Sequence, residues 1–89
     1  MKVTKIEIVP IHPQSGLIAF ASIELDNMFY VSSIGIHKKR NETGFRITYP
    51  TKKIGEHSLT ICHPIQSNFS KEIEREICVK AEELFGISD

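Results

Sequence analysis

The stretch Leu17-Ile18-Ala19-Phe20-Ala21-Ser22-Ile23-Glu24-Leu25 decides the fold. Leu17, Ala19, Ala21, Ile23 and Leu25 recur at every second position, the period of a strand with one buried face, while Ser22 and Glu24 take the other face. Two of the inward residues are alanines. They leave room over mid-strand for something bulky to pack closely, and a helix is the obvious candidate. Asp26-Asn27 reads as a two-residue turn, because both side chains tolerate the left-handed backbone region. Met28 to Ile36 is then the returning strand, so residues 17–36 form a β-hairpin.

Outward from this hairpin the β pattern continues. Val3 to Ile11 places Ile6 and Ile8 on one face and Lys5 and Glu7 on the other, and His12-Pro13-Gln14-Ser15-Gly16 supplies a turn. The polar run from His37 to Gly44 reads as an exposed loop. Phe45-Arg46-Ile47-Thr48-Tyr49 alternates again, with Arg46 outward, and Pro50 ends it. A second polar loop, Thr51 to His57, leads to a short strand Ser58–Cys62. After Ser67-Asn68 the period becomes helical: Phe69, Ile73, Ile77, Ala81 and Leu84/Phe85 form one apolar stripe. Ser67, Asn68 or Ser70 suits the helix start and Gly86 the stop. The pattern predicts a single α+β domain over residues 1–89, an antiparallel sheet of about five strands covered by one C-terminal amphipathic helix in two layers.

Composition excludes several function classes. Eighty-nine residues leave no room for a second domain or a large internal substrate cavity, and a chain this short buries only roughly 60–65% of its unfolded surface. A dimer that covers a sheet edge would add buried area the monomer lacks. Eleven basic residues balance eleven acidic ones, so no argument from a globally basic protein holds. No segment approaches the ~20 apolar residues of a membrane span. The N-terminus has no apolar run of signal-peptide type. With Cys62 and Cys78 too few for a disulfide scaffold, the expected compartment is a reducing cytoplasm.

Metal and catalytic chemistry find little to build on. His12, His37, His57 and His63 with the two cysteines fall in no ligand spacing, and adjacent Cys62 and His63 would point to opposite faces of a strand. Cys78, beside the apolar helix stripe, reads as a small hydrophobe. There is no Gly-rich loop and no nucleophile–base–orienter pattern. The expectation is a non-enzymatic protein with no cofactor, no metal and no small-molecule substrate.

Charge distribution says more than charge total. Residues 37–57 hold Lys38, Lys39, Arg40, Arg46, Lys52 and Lys53 against Glu42 and Glu56, a local net of +4. Residues 70–89 carry three bases against six acids, a net of −3. Arg46, on an exposed face, would join the two basic loops into a stripe able to track phosphates. A Lys-Lys-Arg loop is also ordinary surface decoration, so composition by itself stops at an α+β domain.

The motifs go further. Val3-Thr4-Lys5-Ile6, Ala19-Phe20-Ala21-Ser22-Ile23-Glu24-Leu25-Asp26, Phe29-Tyr30-Val31, Gly44-Phe45, Tyr49-Pro50-Thr51-Lys52-Lys53 and Thr60-Ile61-Cys62-His63-Pro64-Ile65 occur in an order and spacing that resembles the stage V sporulation protein G (SpoVG) family of bacterial septation regulators. The resemblance covers about residues 2–84. Tyr49 stands where that family usually has methionine, Thr60 where it often has an acid, and Ser70 where it commonly has arginine, with Lys71 beside it. The resemblance implies a small cytoplasmic homodimer that binds DNA, and in some members RNA, as a regulator of sporulation septation and gene expression. It adds Lys71 and Arg75 on the helix as candidate contacts, and Lys52-Lys53 belong both to the stripe and to a family motif. The alternative expectation is a protein-interaction module that docks a division or regulatory protein through a sheet edge or the acidic helix face.

Overall fold

The protein's computed structural model describes residues 1–40 and 44–86. Its elements are β1 (Val3–Gln14), β2 (Leu17–Leu25), β3 (Phe29–Lys38), β4 (Phe45–Thr48), β5 (Thr51–Ile54), β6 (His57–Thr60) and α1 (Ser67–Phe85). β1 to β4 form an antiparallel sheet in sequence order, and β5 and β6 form a separate two-stranded ribbon. The α+β arrangement with a C-terminal helix on the sheet is the one the periodicity predicts. Its six strands divide four and two.

The core lies between sheet and helix. Ala19, Ala21, Ile23, Leu25, Ile34, Ile36 and Phe45 from the sheet are buried in one cluster with Ile73, Ile77 and Ala81 from α1. The alternating residues of β2 are thus the floor of the core, and the two alanines are fully buried in it. The helix backbone comes closest to the outer strands β1 and β4, so the sheet curves around it. Burying ten apolar side chains from three strands and the helix is what ties the local patterns into one unit.

Turn boundaries differ from the sequence reading in instructive ways. The β1–β2 turn is only Ser15-Gly16, both with positive φ (50° and 95°), as a type I′ hairpin requires. His12 to Gln14 stay in β1, because Pro13 on an outer strand need not donate to a ladder. Asp26 and Asn27 adopt positive φ as expected (52° and 55°), but Met28 belongs to the loop and Leu25 pairs with Phe29. A bulge at Ser33 (φ 62°) shifts the register between the Ala21–Ile34 and Ile23–Val31 pairs. That extra residue lets Val31 and Ile34 both face the core although three positions separate them.

Three further expectations are corrected. His37 and Lys38 lie in β3, paired with Arg46 and Phe45, and not in the loop; Asn41 to Thr43 of that loop lie outside the described residues. Thr51 to His57 is not a loop but most of the ribbon, and the strand expected at Ser58–Cys62 is His57–Thr60. The helix cap is none of Ser67, Asn68 or Ser70. Gln66 has the extended backbone of a cap residue, and its side-chain Oε1 accepts from the Phe69 amide at 2.6 Å. Gly86 ends the helix as expected, its amide donating to the Glu82 carbonyl.

Candidate nucleic-acid interface

The predicted basic residues fall into two groups, one at each end of β4. Six positions of extended chain separate Phe45 from Thr51, a span of roughly 20 Å. At the near end, Lys38 closes β3 and Lys39 and Arg40 follow it, the Lys39 amide donating to the Gly44 carbonyl at 3.1 Å. All three side chains are exposed. Lys39 then joins Lys71 and Arg75 of α1 in the wall of one crevice of about 510 Å³. Charge patterning in the strands and motif resemblance in the helix pointed to these cations separately; the fold brings them together.

That crevice is not uniformly positive. Glu74 and Glu82 line it too, and Arg75 Nη2 lies 3.9 Å from Glu72 Oε1. Its floor holds the half-buried Cys78, whose Sγ donates to the Phe45 carbonyl at 3.4 Å. Burial pushes the Cys78 thiol above its ordinary range, the Glu74 and Glu82 carboxylates push the same way, and Lys39 opposes them. Cys78 is therefore a protonated packing residue and not an activated thiolate.

Arg46 stands apart from the crevice. Ile36, Ile47 and Phe45 occupy the helix-facing side of the sheet, so Arg46 and its partner His37 lie on the opposite side by strand alternation. His37 is half-buried there, with Nε2 3.0 Å from Thr48 Oγ1 and Nδ1 buried without a hydrogen-bond partner. Burial, and secondarily the Arg46 guanidinium, lower its pKa. His37 is a neutral packing residue that anchors β4, and the continuous stripe through Arg46 does not form on one face.

At the far end, the ribbon carries Lys52 and Lys53. The register pairs Thr51 with Thr60, Lys52 with Leu59, Lys53 with Ser58 and Ile54 with His57. Adjacent lysines on a strand point to opposite faces. One face holds Thr51, Lys53, Ser58 and Thr60; the other holds Lys52, Ile54, His57 and Leu59. All eight residues are exposed, Ile54 and Leu59 to 54% and 52%. Neither lysine makes an ion pair among the described residues. Sequence reading missed the ribbon, although two four-residue runs around Gly55-Glu56 are a hairpin signal when glycine takes the first central position.

A third feature was not foreseen. Leu25, Phe29, Val31, Pro64, Ile65 and Phe69 line an open, apolar groove of about 760 Å³ between the sheet's end and the start of α1. Tyr49 sits in its wall; burial raises the phenol pKa, with smaller pushes from Glu74 and Cys62 and an opposing one from Ser70. Cys62 and His63 also line the groove, but His63 Nδ1 donates to the Pro64 carbonyl at 3.1 Å and no hydrogen bond links it to Cys62. Among the described residues no cluster of three or more His, Cys, Asp or Glu is placed to hold a metal ion. No helix among them is long and apolar enough to cross a membrane.

Comparison with known proteins agrees with the motif resemblance. Residues 1–83 match the SpoVG family profile. Over 87 residues the chain is 33% identical to a protein of Phytoplasma australiense named "Putative septation protein SpoVG", an alignment that spans 97% of this chain and 88% of that one. With the family's strand motifs, its helix and nearly its whole length accounted for, the chain is a member of the SpoVG family.

Proposed function

We propose that the protein is a non-enzymatic, cytoplasmic nucleic-acid-binding regulator that acts in septation and gene expression as a homodimer. The observation that carries this reading is the convergence of Lys39, Lys71 and Arg75 on one crevice, with Lys52 and Lys53 projecting beyond the other end of β4. Two separated clusters suit a long polyanion better than a small anion, since successive phosphates can occupy both. Glu74 and Glu82 hold the affinity to a modest level.

The dimer follows from surface that the monomer leaves uncovered. The outer strands of the sheet are poor partners: β1 carries Pro10 and Pro13, and β4 has four residues. The ribbon's Ile54 and Leu59, with Ile61 on the same side at 64% exposure, form an apolar face that a second copy covers. Light scattering on wild type and on Ile54→Ser/Leu59→Ser checks this, with the variant expected as monomer.

Fluorescence anisotropy with labelled duplex DNA and single-stranded RNA across a salt series tests the main reading. Saturable binding should weaken log-linearly with salt, by about 0.9 in slope per phosphate gripped on duplex DNA. Lys52→Glu/Lys53→Glu and Lys71→Glu/Arg75→Glu should each remove most of it. Wild-type affinity in both double variants, or no binding at low salt, would overturn the reading. The second reading, a module that docks a division or regulatory protein, draws on the apolar groove, and it takes over in that event.

A further inference from the structure

A major groove admits a helix or a two-stranded ribbon. Of the two basic clusters, only the ribbon's stands on an element exposed on both faces, since α1 is packed along one side on the sheet. The ribbon is two strands wide, about 5 Å between strand axes and close to 10 Å with side chains, and a B-DNA major groove of about 12 Å admits such a ribbon. Within the protomer it packs chiefly on itself, and a second copy on its Ile54/Leu59 face leaves the Thr51/Lys53/Ser58/Thr60 face open to approach. Its two faces differ in chemistry. Thr51, Ser58 and Thr60 set three hydroxyls beside Lys53 on one face, all exposed, while the other carries the ribbon's two apolar residues, Ile54 and Leu59, with Lys52 and His57. Hydroxyls hydrogen-bond to any base edge and lysine to guanine O6 and N7, which is how a major groove is read.

Resting on the nucleic-acid reading above, we infer that the ribbon lies in the DNA major groove with the Thr51/Lys53/Ser58/Thr60 face on the base edges. The occupant is duplex DNA, because the major groove of A-form RNA is too deep and narrow to admit a ribbon. The inference separates two neighbouring lysines. Lys53 shares the reading face with the hydroxyls; Lys52 lies on the side of Ile54 and Leu59 and meets only flanking phosphate. Lys39, Lys71 and Arg75 then hold backbone phosphates beyond the groove and set register without reading sequence.

Thr51→Val/Ser58→Ala/Thr60→Val tests this, since it removes the hydroxyls and keeps β-branched side chains at both threonines. Anisotropy is measured against duplex DNA and duplex RNA of the same sequence, with circular dichroism melts to confirm folding. His57→Ala, on the other face, is the control. The triple variant should lose about tenfold or more in DNA affinity with an unchanged salt slope, because no ionic contact is removed. Lys53→Ala should lose affinity and reduce the slope by about one. His57→Ala should bind as wild type does. Duplex RNA should bind more weakly and ignore the triple substitution. Wild-type DNA affinity in the folded triple variant would overturn the ribbon assignment while leaving the nucleic-acid reading standing. Equal binding of duplex RNA with equal sensitivity to the triple variant would overturn the choice of DNA. Absence of any nucleic-acid binding by the wild type would remove both.

Discussion

The four-stranded sheet and the β5–β6 ribbon are both antiparallel hairpin structures rich in β-branched residues, yet they keep opposite relations with water. In β2, five inward positions face the helix and four of them are buried. In the ribbon every residue is exposed. Part of the difference is strand chemistry, since Thr51-Lys52-Lys53-Ile54 offers one apolar side chain where β2 offers an inward apolar residue at every second position. The rest comes from supply: one helix of 19 residues covers one sheet face, and none of it remains for the ribbon. A two-stranded hairpin standing alone is marginal in water. A ribbon held out this way is a contact element waiting for a partner surface, whereas the sheet is the frame that carries it.

That contrast is broken most directly by equal truncations in the two regions. Ile77, fully buried beneath the sheet, should cost about 2–5 kcal/mol as Ile77→Ala, through lost burial and the cavity left behind. Ile54→Ala removes the same atoms from an exposed site, and for the monomer it should stay within about 0.5 kcal/mol. Urea denaturation at low protein concentration measures both. Comparable losses would mean that the ribbon folds into the same cooperative unit as the core, and the division between frame and contact element would fall.

How much of this was legible depends on whether the deciding information was local. The β2 pattern, the Asp26-Asn27 turn and the helix stripe are local signals, and each is found close to where the residues say. Met28 is added to the turn, and Leu84 is left exposed at the end of the stripe. The ribbon was hidden because Lys52, Lys53, Ser58 and Thr60 look like loop composition; only the spacing around Gly55 marks a hairpin, and two four-residue strands give that spacing little weight. Gln66 was hidden because glutamine is a poor general cap, and its fitness here depends on a side-chain reach of 2.6 Å to the Phe69 amide. In the candidate site, Lys39, Lys71 and Arg75 were each picked out, but their meeting is tertiary: 36 positions separate Lys39 from Arg75. The apolar groove has no sequence signature at all, being assembled from the ends of β2 and β3 and from residues 62–69.

Within the frame, β4 depends on close packing around Gly35. A Cβ added there would sit 2.7 Å from Thr48 Oγ1 and 3.2 Å from His37 Nε2, on the hydrogen bond that joins β3 to β4. Gly35→Ala should therefore cost about 1–3 kcal/mol by overpacking. Its loss should appear in the global unfolding midpoint, since β4 contributes Phe45 to the core.

A smaller effect at the same junction is set by pH. The folded-state pKa of His37 is depressed by burial and then by Arg46, so the fold favours the neutral ring. Protonation opposes folding: this share of stability is whole above the unfolded value of about 6.5 and is lost as pH falls below it. His37→Gln should flatten the stability profile below about pH 6.5. An identical acid limb in wild type and variant would place the titration elsewhere.

The smallest global effect is expected at the ribbon's own turn, and there the two regions are separated most finely. Gly55 has φ 62° with nothing within 4 Å of an added Cβ, so Gly55→Ala meets backbone strain and no collision, the reverse of Gly35. The strain belongs to a hairpin that packs chiefly on itself. If the ribbon opens independently of the core, the unfolding midpoint of Gly55→Ala should match wild type, while the ribbon amides exchange with solvent severalfold faster. DNA affinity should fall in proportion to the fraction of time the ribbon is open, with no change at the Lys71/Arg75 crevice. A lowered midpoint with unchanged ribbon exchange would show instead that the ribbon and the core melt together.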